Sequence, residues 1–364
     1  MKDNILEKIP EKLLPWYREN KRILPWRSHP TPYHVWVSEI MLQQTRVEAV
    51  KSYYERFMEE LPTIEALAQV EERQLLKLWE GLGYYSRARN LQAAAKQIVE
   101  EYGGEMPSEY EKLLELKGIG SYTAGAIGSI AFHKPYPAVD GNVLRVLSRV
   151  RGDGRSITTD KVKKEVFAEL WEVMPGEDSG DFNQALMDLG ATVCIPNGAP
   201  LCEKCPLADI CKAKEEKAQT RYPVKEAKKP RTIEKKTVLL VQDGKRAVIR
   251  KRPSKGLLAG LYEFPMLEGH LSGEEVLQYV RERGLSVLRI LPLTDSKHIF
   301  SHKEWHMIGY QLYVDELASP SNHADMQDWL YLEPNTTQGE YPIPSAFAAY
   351  VPYLQIKLTG EKYK

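Results

Sequence analysis

Hydrophobic residues recur at helical spacing through the first part of the chain, between Pro32 and about Ala213. The stretches EALAQVEERQLLKLWEGLG and YEKLLELKGIGSYTAGAIGSIAF show the pattern, and the glycine and proline residues between such stretches act as stops. This part of the chain is therefore predicted to be all-helical.

The pattern changes after a polar segment, EEKAQTRYPVKEAKKPRTIEKK, which contains two prolines. Between Arg221 and Lys236 this segment carries seven basic residues against two acidic ones, which is typical of a linker. Beyond it, KKTVLLV, RAVIRKR and WHMIGYQLYV predict strands, and GEEVLQYVRERG predicts one amphipathic helix. We expect a helical domain over 1–216, a basic linker over 217–236 and a mixed α/β domain over 237–364.

Charge and composition exclude few classes of protein. The chain has 364 residues and a formal net charge of zero, so any binding to nucleic acid has to come from local basic surfaces. The N-terminal sequence spreads charges among its apolar residues, which argues against a secretory signal and a membrane span. The expected location is the cytoplasm, without membrane contact.

All four cysteines lie in one short stretch, CIPNGAPLCEKCPLADIC, at Cys194, Cys202, Cys205 and Cys211. The gaps between them are seven, two and five residues, and a loop this crowded cannot easily form two unstrained disulfides. Four thiolates around one centre fit better. The spacing alone is compatible with zinc or with an iron–sulfur cluster.

The stretch LKGIGSYTAGAI places Gly118, Ile119 and Gly120 between two predicted helices. Such a hairpin exposes backbone N–H groups and a helix N-terminus, which suit a phosphate oxygen, although an ordinary corner between two helices has the same pattern. Small residues in the following helix suit close packing. Asp140, in PAVDGNVLRVLSRV, follows about twenty residues later.

The hairpin, the aspartate and the cysteine loop together resemble the helix-hairpin-helix DNA glycosylases related to endonuclease III. Three further stretches, LPWR, VSEIMLQQTRV and GLGYYSRARN, resemble the adenine-specific, MutY-type branch, and the resemblance covers nearly the whole chain. It implies an all-α helix-hairpin-helix glycosylase fold with an iron–sulfur cluster loop over 194–211, and a C-terminal α/β Nudix (MutT)-like domain. It also implies a [4Fe-4S] cluster on the four cysteines, although the first gap is one residue longer than is usual in the family.

Two carboxyl groups are candidates for catalysis. Removal of adenine from its sugar requires a proton for the leaving base and an anion beside a cationic sugar, so two carboxyl groups with different pKa values would suffice. Glu39 has apolar neighbours in VWVSEIML, which should raise its pKa, whereas Asp140 precedes a predicted helix, whose N-terminus favours the charged form. An ordinary helix carboxylate and a plain N-cap remain open readings of the residues alone. The resemblance implies that Glu39 and Asp140 are catalytic, with Asn142 beside the second.

A third position distinguishes two reaction types. In the strand-cutting relatives, the residue two after the second hairpin glycine is a lysine that forms a Schiff base with the sugar. Here that residue is Tyr122, which cannot form an imine. The resemblance therefore implies a monofunctional enzyme that removes the base and leaves an abasic site.

The resemblance also implies residues that contact DNA, because a base extruded from a duplex leaves a gap that side chains fill. The residues implied to enter the duplex are Gln44, Thr45 and Tyr84. Those implied to form the adenine pocket are Trp26, Arg27, Leu42, Val47 and Gln184. Lys204 lies inside the cysteine loop, and Arg145, Arg149 and Arg151 offer positive charge for phosphates if the fold brings them near.

The second domain has its own signature. GLLAGLYEFP resembles the entrance to a Nudix fold, but GEEVLQYVRERG stands where the metal-binding Arg-Glu-x-x-Glu-Glu helix is expected, so pyrophosphatase activity is not predicted. The resemblance implies a module that recognises 8-oxoguanine through Phe300, Ser301 and His302. The implied partner is double-stranded DNA with adenine opposite 8-oxoguanine or guanine, bound by a monomer.

Two alternative functions stay open at this point. One is a glycosylase of the same fold that acts on another base, such as mismatched thymine. The other is a lesion-binding protein without catalysis, for which the carboxyl groups of Glu39 and Asp140 would be dispensable.

Overall fold

The computed structural model describes residues 5–227, 230–317, 328–356 and 358. Contacts divide the chain into two compact units, 1–69 with 90–227 and 70–89 with 228–364. None of the described helices is long and apolar enough to cross a membrane.

The first unit is helical, as the hydrophobic spacing predicts. Its helices are α1 (Ile9–Asn20), α2 (Pro32–Leu42), α3 (Val47–Glu60), α4 (Ile64–Gln69), α7 (Tyr110–Glu115), α8 (Ser121–Ile130), α9 (Gly141–Arg151), α10 (Asp160–Trp171), α11 (Ser179–Thr192) and α12 (Lys212–Glu215). Of the remaining two, α5 (Glu72–Leu78) lies in the 70–89 segment and α6 (Ser86–Tyr102) begins there. Short 3₁₀ turns form at Pro25–Arg27, Gly176–Asp178 and Cys202–Lys204.

Helix α11 runs through the core of the first unit. Its Phe182, Leu186 and Leu189 are fully buried and share one apolar cluster with residues of α1 and α9. The buried polar side chains on α11, Asn183 and Asp188, therefore have to find partners inside the protein.

Helix α8 approaches the backbone of 136–138 closely. A Cβ atom added to Gly125 would lie 2.0 Å from the Pro137 carbonyl oxygen, and one added to Gly128 would lie 2.3 Å from the Tyr136 ring. Only glycine allows this approach, so the close packing predicted for this helix is confirmed. The contact holds Tyr122, on the first turn of α8, near the segment that leads into Asp140.

The second unit contains a mixed sheet. Its strands are β1 (Thr232–Gln242), β2 (Ala247–Lys251), β3 (Tyr262–Glu263), β4 (Met266–Glu268), β5 (Val287–Ile299), β6 (Lys303–Val314) and β7 (Trp329–Leu332). The order is β3-β2-β1-β6-β5, with β4 paired to β1 and β7 paired to β2, and only the β1–β6 pair is parallel among the described strands.

Both faces of this sheet are covered. Alternate residues of β1 enter two different apolar clusters, Val238 and Leu240 on one face and Leu239 and Val241 on the other. Helix α13 (Gly273–Arg281), which Ser272 caps, adds Val276 and Val280 to the second cluster. A short helix, α14 (Pro334–Glu340), and 3₁₀ turns at Ser345–Phe347 and Val351–Leu354 follow β7. The strands predicted as β1, β2 and β6 and the predicted helix α13 are confirmed, and β1 begins inside the 217–236 segment.

Candidate active site

A large cavity opens in the first unit between α2, the Pro25–Arg27 turn, α8, α11 and the start of α9. Its volume is about 1430 Å³, including the part open to solvent. The predicted site residues in its wall are Trp26, Arg27, Glu39, Leu42, Gln44, Thr45, Val47, Tyr122, Asp140, Asn142 and Gln184. The fold therefore brings together residues from five separate segments of the sequence.

Glu39 is the buried acid of this cavity. Only 6% of its surface is exposed, and its Oε2 accepts a hydrogen bond from the Tyr122 hydroxyl. Burial raises the pKa of Glu39 to about 7; the Tyr122 bond and the Arg27 charge lower it, and the Asp140 charge raises it. The predicted upward shift is confirmed, and a proton is available on this carboxyl near neutral pH.

Asp140 is the N-cap of α9, as predicted. Its Oδ1 accepts from the Val143 backbone N–H at 2.8 Å, and its Oδ2 accepts from the Asn142 side-chain amide at 2.6 Å. Burial nevertheless raises the pKa of Asp140, because desolvation outweighs the lowering by these bonds and by Arg145. The hydrogen bonds at the helix N-terminus do favour the charged form, as expected. The net shift of the Asp140 pKa is nevertheless upward, contrary to the expectation.

Tyr122 completes the group. Burial and the neighbouring Glu39 and Asp140 hold the pKa of Tyr122 well above its usual range, so its hydroxyl stays a neutral donor to Glu39. Its oxygen also lies 3.8 Å from the Met187 sulfur. The tyrosine is fixed on both sides and is positioned to keep the Glu39 carboxyl in one orientation.

The sequence reasoning missed two charged residues at this cavity: Arg22, which lines it, and Asp188, which is buried behind its wall. Asp188 pairs with Arg27 at 2.8 Å and with Arg22 at 2.6 Å, and both arginines line the cavity. One signal could have pointed to Asp188: it lies one helical turn after Gln184, on the same face of α11. Nothing in the local sequence points to Arg22.

The remaining pocket residues are placed as follows. Trp26 is buried with its ring edge-on to Tyr54, at a centroid distance of 5.5 Å. The Gln184 amide donates to the Gly180 carbonyl at 3.3 Å, within its own helix. Leu42 and Val47 are half-buried in the wall at the end of α2 and the start of α3.

The residues predicted to enter DNA share an unusual backbone. Gln44 has φ 58° and Tyr84 has φ 47°, in the left-handed region that residues other than glycine seldom adopt. Gln44 is exposed beside the half-buried Thr45, and Tyr84 is 46% exposed. Tyr84 belongs to the second unit and does not line the cavity. Strained backbone at exposed side chains often marks a functional position.

The hairpin residues lie outside the cavity wall. Gly118 has φ +79° and Gly120 is the N-cap of α8; both are exposed, whereas Ile119 is buried. A Cβ added to Gly118 would lie 2.7 Å from the Asn90 side chain, so both its conformation and its surroundings require glycine. The N–H groups at the start of α8 are left for a partner in solution.

The four cysteines line a second cavity of the first unit. Its volume is about 390 Å³ with its open part, and Cys194, Cys202, Cys205 and Cys211 all contribute to its wall. None of the four forms a disulfide. Among the described residues, no three His, Cys, Asp or Glu side chains are grouped closely enough to hold a metal ion.

Two of the arginines expected to contact phosphates are buried, which corrects the expectation for them; the third, Arg151, is half-buried and ion-paired. Arg145 and Arg149 are only 6% and 3% exposed. Arg149 donates to the Cys194 sulfur at 3.2 Å and to the Ile195 carbonyl at 2.9 Å, and Arg151 pairs with Glu169 at 2.5 Å. The local sequence does not show whether a basic side chain on a helix is buried or exposed. Lys204 remains exposed.

Arg145 instead connects Asp140 to the cysteine loop. Its Nη2 donates to Asn142 Oδ1 at 2.8 Å and to the Gly190 carbonyl at 2.6 Å, and its Nε donates to the Cys194 carbonyl at 2.8 Å. Asn142 in turn donates to Asp140. An unbroken hydrogen-bonded chain therefore joins the cavity carboxylate to the first cysteine.

In the second unit, Phe300, Ser301 and His302 form the turn between β5 and β6. The Phe300 N–H donates to the Lys303 carbonyl at 2.8 Å, and the Phe300 ring lies 4.9 Å from Trp305 and 4.6 Å from His298. Ser301 and His302 are exposed. The ring contacts of Phe300 thus lie beside two exposed polar side chains.

Comparison with known proteins defines the class first. The profile of the HhH-GPD superfamily of base excision DNA repair proteins matches residues 37–175, and the NUDIX domain profile matches residues 237–352. The chain resembles a solved thermostable thymine-DNA glycosylase (TM-score 0.53, 29% identity, 58% of this chain and 98% of that one). It also resembles endonuclease III in a non-covalent DNA complex (TM-score 0.50, 26% identity, 58% and 97%).

Curated relatives then narrow the class to one family. The adenine DNA glycosylase of Mus musculus is 38% identical over 379 residues, which cover 88% of this chain and 73% of the relative. That of Buchnera aphidicola subsp. Schizaphis graminum is 34% identical, with 91% and 95% covered. The chain belongs to the adenine DNA glycosylase family and is a DNA glycosylase of base excision repair with a Nudix-like second domain.

The raised pKa of Glu39 has a consequence for stability. Between its ordinary value of 4.5 and about 7 the native carboxyl keeps a proton that the unfolded chain releases, so rising pH through this window destabilises the fold. Glu39→Gln removes this penalty. We expect the variant to gain up to about 3 kcal/mol over wild type above pH 7, and little near pH 4, in denaturant unfolding at several pH values.

Glu59→Gln, at an exposed position of α3, is the matched control and should show no such trend. A stability difference between Glu39→Gln and wild type that is independent of pH would contradict the assigned protonation of Glu39.

Proposed function

We propose that this glycosylase removes adenine paired with 8-oxoguanine or guanine in double-stranded DNA, and that it stops at the abasic site. The observation that carries the proposal is the Glu39, Tyr122 and Asp140 group in one cavity, with a proton available on Glu39 near neutral pH.

The chemistry follows from the two carboxyl groups. Glu39 donates its proton to a ring nitrogen of adenine, and the electron pair of the N-glycosidic bond leaves with the neutral base. The sugar becomes a cation of oxocarbenium type, which the Asp140 carboxylate stabilises. A water molecule then adds to C1′ and its proton passes to a carboxylate of the site, which restores the starting state.

Tyr122 supports the monofunctional reaction. It occupies the position of the lysine that attacks the sugar in strand-cutting relatives, and no lysine is among the described residues that line the cavity. Without an amine at C1′ no imine forms, so the strand stays intact until the abasic site is cleaved by other means.

Base flipping is part of the proposal, because Glu39 is too deeply buried to reach an adenine stacked in a duplex. Trp26, Leu42, Val47 and Gln184 would enclose the extruded base, and Gln184 offers an amide for its hydrogen-bonding edge. Gln44, Thr45 and Tyr84 would fill or support the gap. The left-handed backbone of Gln44 and Tyr84 supports this role.

The rest of the DNA contact is proposed from two further features. The exposed hairpin from Gly118 to Gly120 would bind a backbone phosphate through its N–H groups. The exposed Ser301 and His302, beside the ring contacts of Phe300, would distinguish 8-oxoguanine from guanine, because oxidation turns the N7 acceptor into a donor. We propose that a monomer suffices for both contacts.

The cysteine cavity fits a [4Fe-4S] cluster. Cys194, Cys202, Cys205 and Cys211 all face one space, and thiolates are the donors that such clusters require. Four thiolates are also a ligand set for one zinc ion, and the elemental analysis below distinguishes the two. When bound, the cluster would cross-link the loop and so hold the Cys194 carbonyl that accepts from Arg145.

The reaction is tested by single-turnover assays on duplexes with adenine opposite 8-oxoguanine, guanine or thymine, and with thymine opposite guanine. We expect adenine loss opposite 8-oxoguanine and guanine, seen as strand breaks only after alkaline treatment. We expect no covalent enzyme–DNA complex after reduction with borohydride, because no imine forms. Asp140→Asn should lower the rate by at least about 100-fold while DNA binding persists.

Thymine release in place of adenine would favour the thymine-specific alternative. Tight binding without release of any base would favour a lesion-binding protein. Either result would overturn the proposal.

The cofactor is tested by elemental analysis of the purified protein. We expect four iron atoms and four acid-labile sulfides per chain, and loss of both in Cys205→Ala because one of the four ligands is removed. One zinc ion per chain without iron would contradict the cluster assignment and favour the zinc alternative.

A further inference from the structure

Asp188 is a buried acid behind the cavity wall, bonded to two arginines that line the cavity, and it has no role in the reaction proposed above. It lies on α11 and is wholly buried. Its carboxylate accepts from Arg27 Nη1 at 2.8 Å and Nη2 at 3.0 Å, and from Arg22 Nε at 2.7 Å and the Arg22 backbone N–H at 3.2 Å. Burial raises the pKa of Asp188, but the hydrogen bonds and charges of Arg27 and Arg22 outweigh it and the net shift is downward. The group is therefore an anion bound by two guanidinium ions.

The charges in this cluster do not balance. Two guanidinium ions face one carboxylate, so one positive charge is left over in the wall that also carries Glu39 and Asp140. Arg22 Nη1 and Arg27 Nε have no hydrogen-bond partner within the described part of the chain. These N–H groups are left for a ligand in the cavity.

The orientation of the arginines depends on Asp188. Nη1 and Nη2 of Arg27 donate to the two carboxylate oxygens of Asp188 in a bidentate pair. This geometry fixes the plane of the guanidinium. The Tyr17 ring, 5.8 Å away, and the Arg22 carbonyl, 3.1 Å from Nη1, complete the surroundings. A buried ion pair is seldom needed for stability alone, since apolar side chains of similar size often serve as well.

We propose that Asp188 is a positioning residue for base excision, which holds Arg27 and Arg22 so that their free N–H groups meet the extruded purine. This inference rests on the proposed function. Adenine carries ring-nitrogen acceptors on its edges. As the glycosidic bond breaks, electron density moves onto the base, so cations held beside it interact more strongly with the transition state than with the bound substrate.

This difference sets the expected result. Asp188→Asn keeps the shape of the side chain but removes the charge that orients both arginines. The single-turnover rate constant for adenine loss at saturating enzyme should fall about 10- to 100-fold. The Kd for a duplex whose adenine nucleotide carries a 2′-fluoro group, which slows cleavage, should stay within about twofold because phosphate contacts dominate affinity.

Two further variants separate positioning from folding. Arg27→Lys keeps the positive charge and a partner for Asp188 but loses the bidentate hydrogen bond. It should therefore also slow excision without weakening DNA binding. In Asp188→Asn combined with Arg27→Lys, the rate should be no lower than in the slower single variant, since both act through one group. Asp181→Asn, two turns earlier on α11 with no ion pair among the described residues, is the matched control and should keep the wild-type rate.

Each outcome decides the inference. If wild type releases adenine and Asp188→Asn does so with the same rate constant, the inference is overturned and the proposed function stays intact. A weaker Kd with an unchanged rate for bound enzyme would assign Asp188 a purely structural role and also overturn it. If Asp188→Asn does not fold, a normal rate in Arg27→Lys overturns the inference and a slowed rate supports it. Absence of adenine release by wild type would overturn the proposed function itself.

Discussion

The Glu39 carboxyl is buried in the cavity wall and hydrogen-bonded to the Tyr122 hydroxyl, where ionisation costs hydration that the protein replaces only in part. That cost brings the pKa of Glu39 to about 7. Asp140 lies in the same cavity, but its carboxylate accepts hydrogen bonds from the N-terminus of α9 and from the Asn142 amide, which Glu39 lacks. The two carboxyl groups thus have different environments, which acid and anion roles require. The close approach of α8 at Gly125 makes this arrangement possible, because it holds Tyr122 beside the segment before Asp140.

Buried charged side chains also hydrogen-bond to residues of the cavity wall. Arg145 binds Asn142 and the Cys194 carbonyl, and Asp188 binds Arg27 and Arg22. Each connection runs through α11 or through the loop after it. Most residues of α11 are packed in the core, so groups fixed to them keep their geometry. The cysteine loop is therefore joined to Asp140 by hydrogen bonds through Arg145 and Asn142.

Periodicity and local rules predicted much of the fold. The segments KKTVLLV and WHMIGYQLYV predicted β1 and β6, helical spacing predicted α8 and α9, and the Asp-Gly-Asn sequence predicted the cap at Asp140. The apolar neighbours of Glu39 correctly indicated its raised pKa. These features depend on residues close together in the sequence, where turn chemistry and spacing act directly.

Other features could not be predicted in this way. The pairing of Arg22 and Arg27 with Asp188 joins residues more than 160 positions apart, and only tertiary packing brings them together. Arg145 and Arg149 were expected to bind phosphates, but they are buried against the cysteine loop, since α9 is covered on both sides. The net shift at Asp140 depends on the competition between burial and capping, which no local pattern reveals.

The pH dependence of adenine release tests the central claim most directly. If Glu39 is the proton donor, the single-turnover rate constant should fall as the pH rises through about 7, by about tenfold for each further pH unit, because only the protonated carboxyl is active. The midpoint of this fall should match the pKa of Glu39 measured by NMR. A rate constant that stays level well above pH 7 would contradict the account, since a deprotonated Glu39 cannot supply the proton.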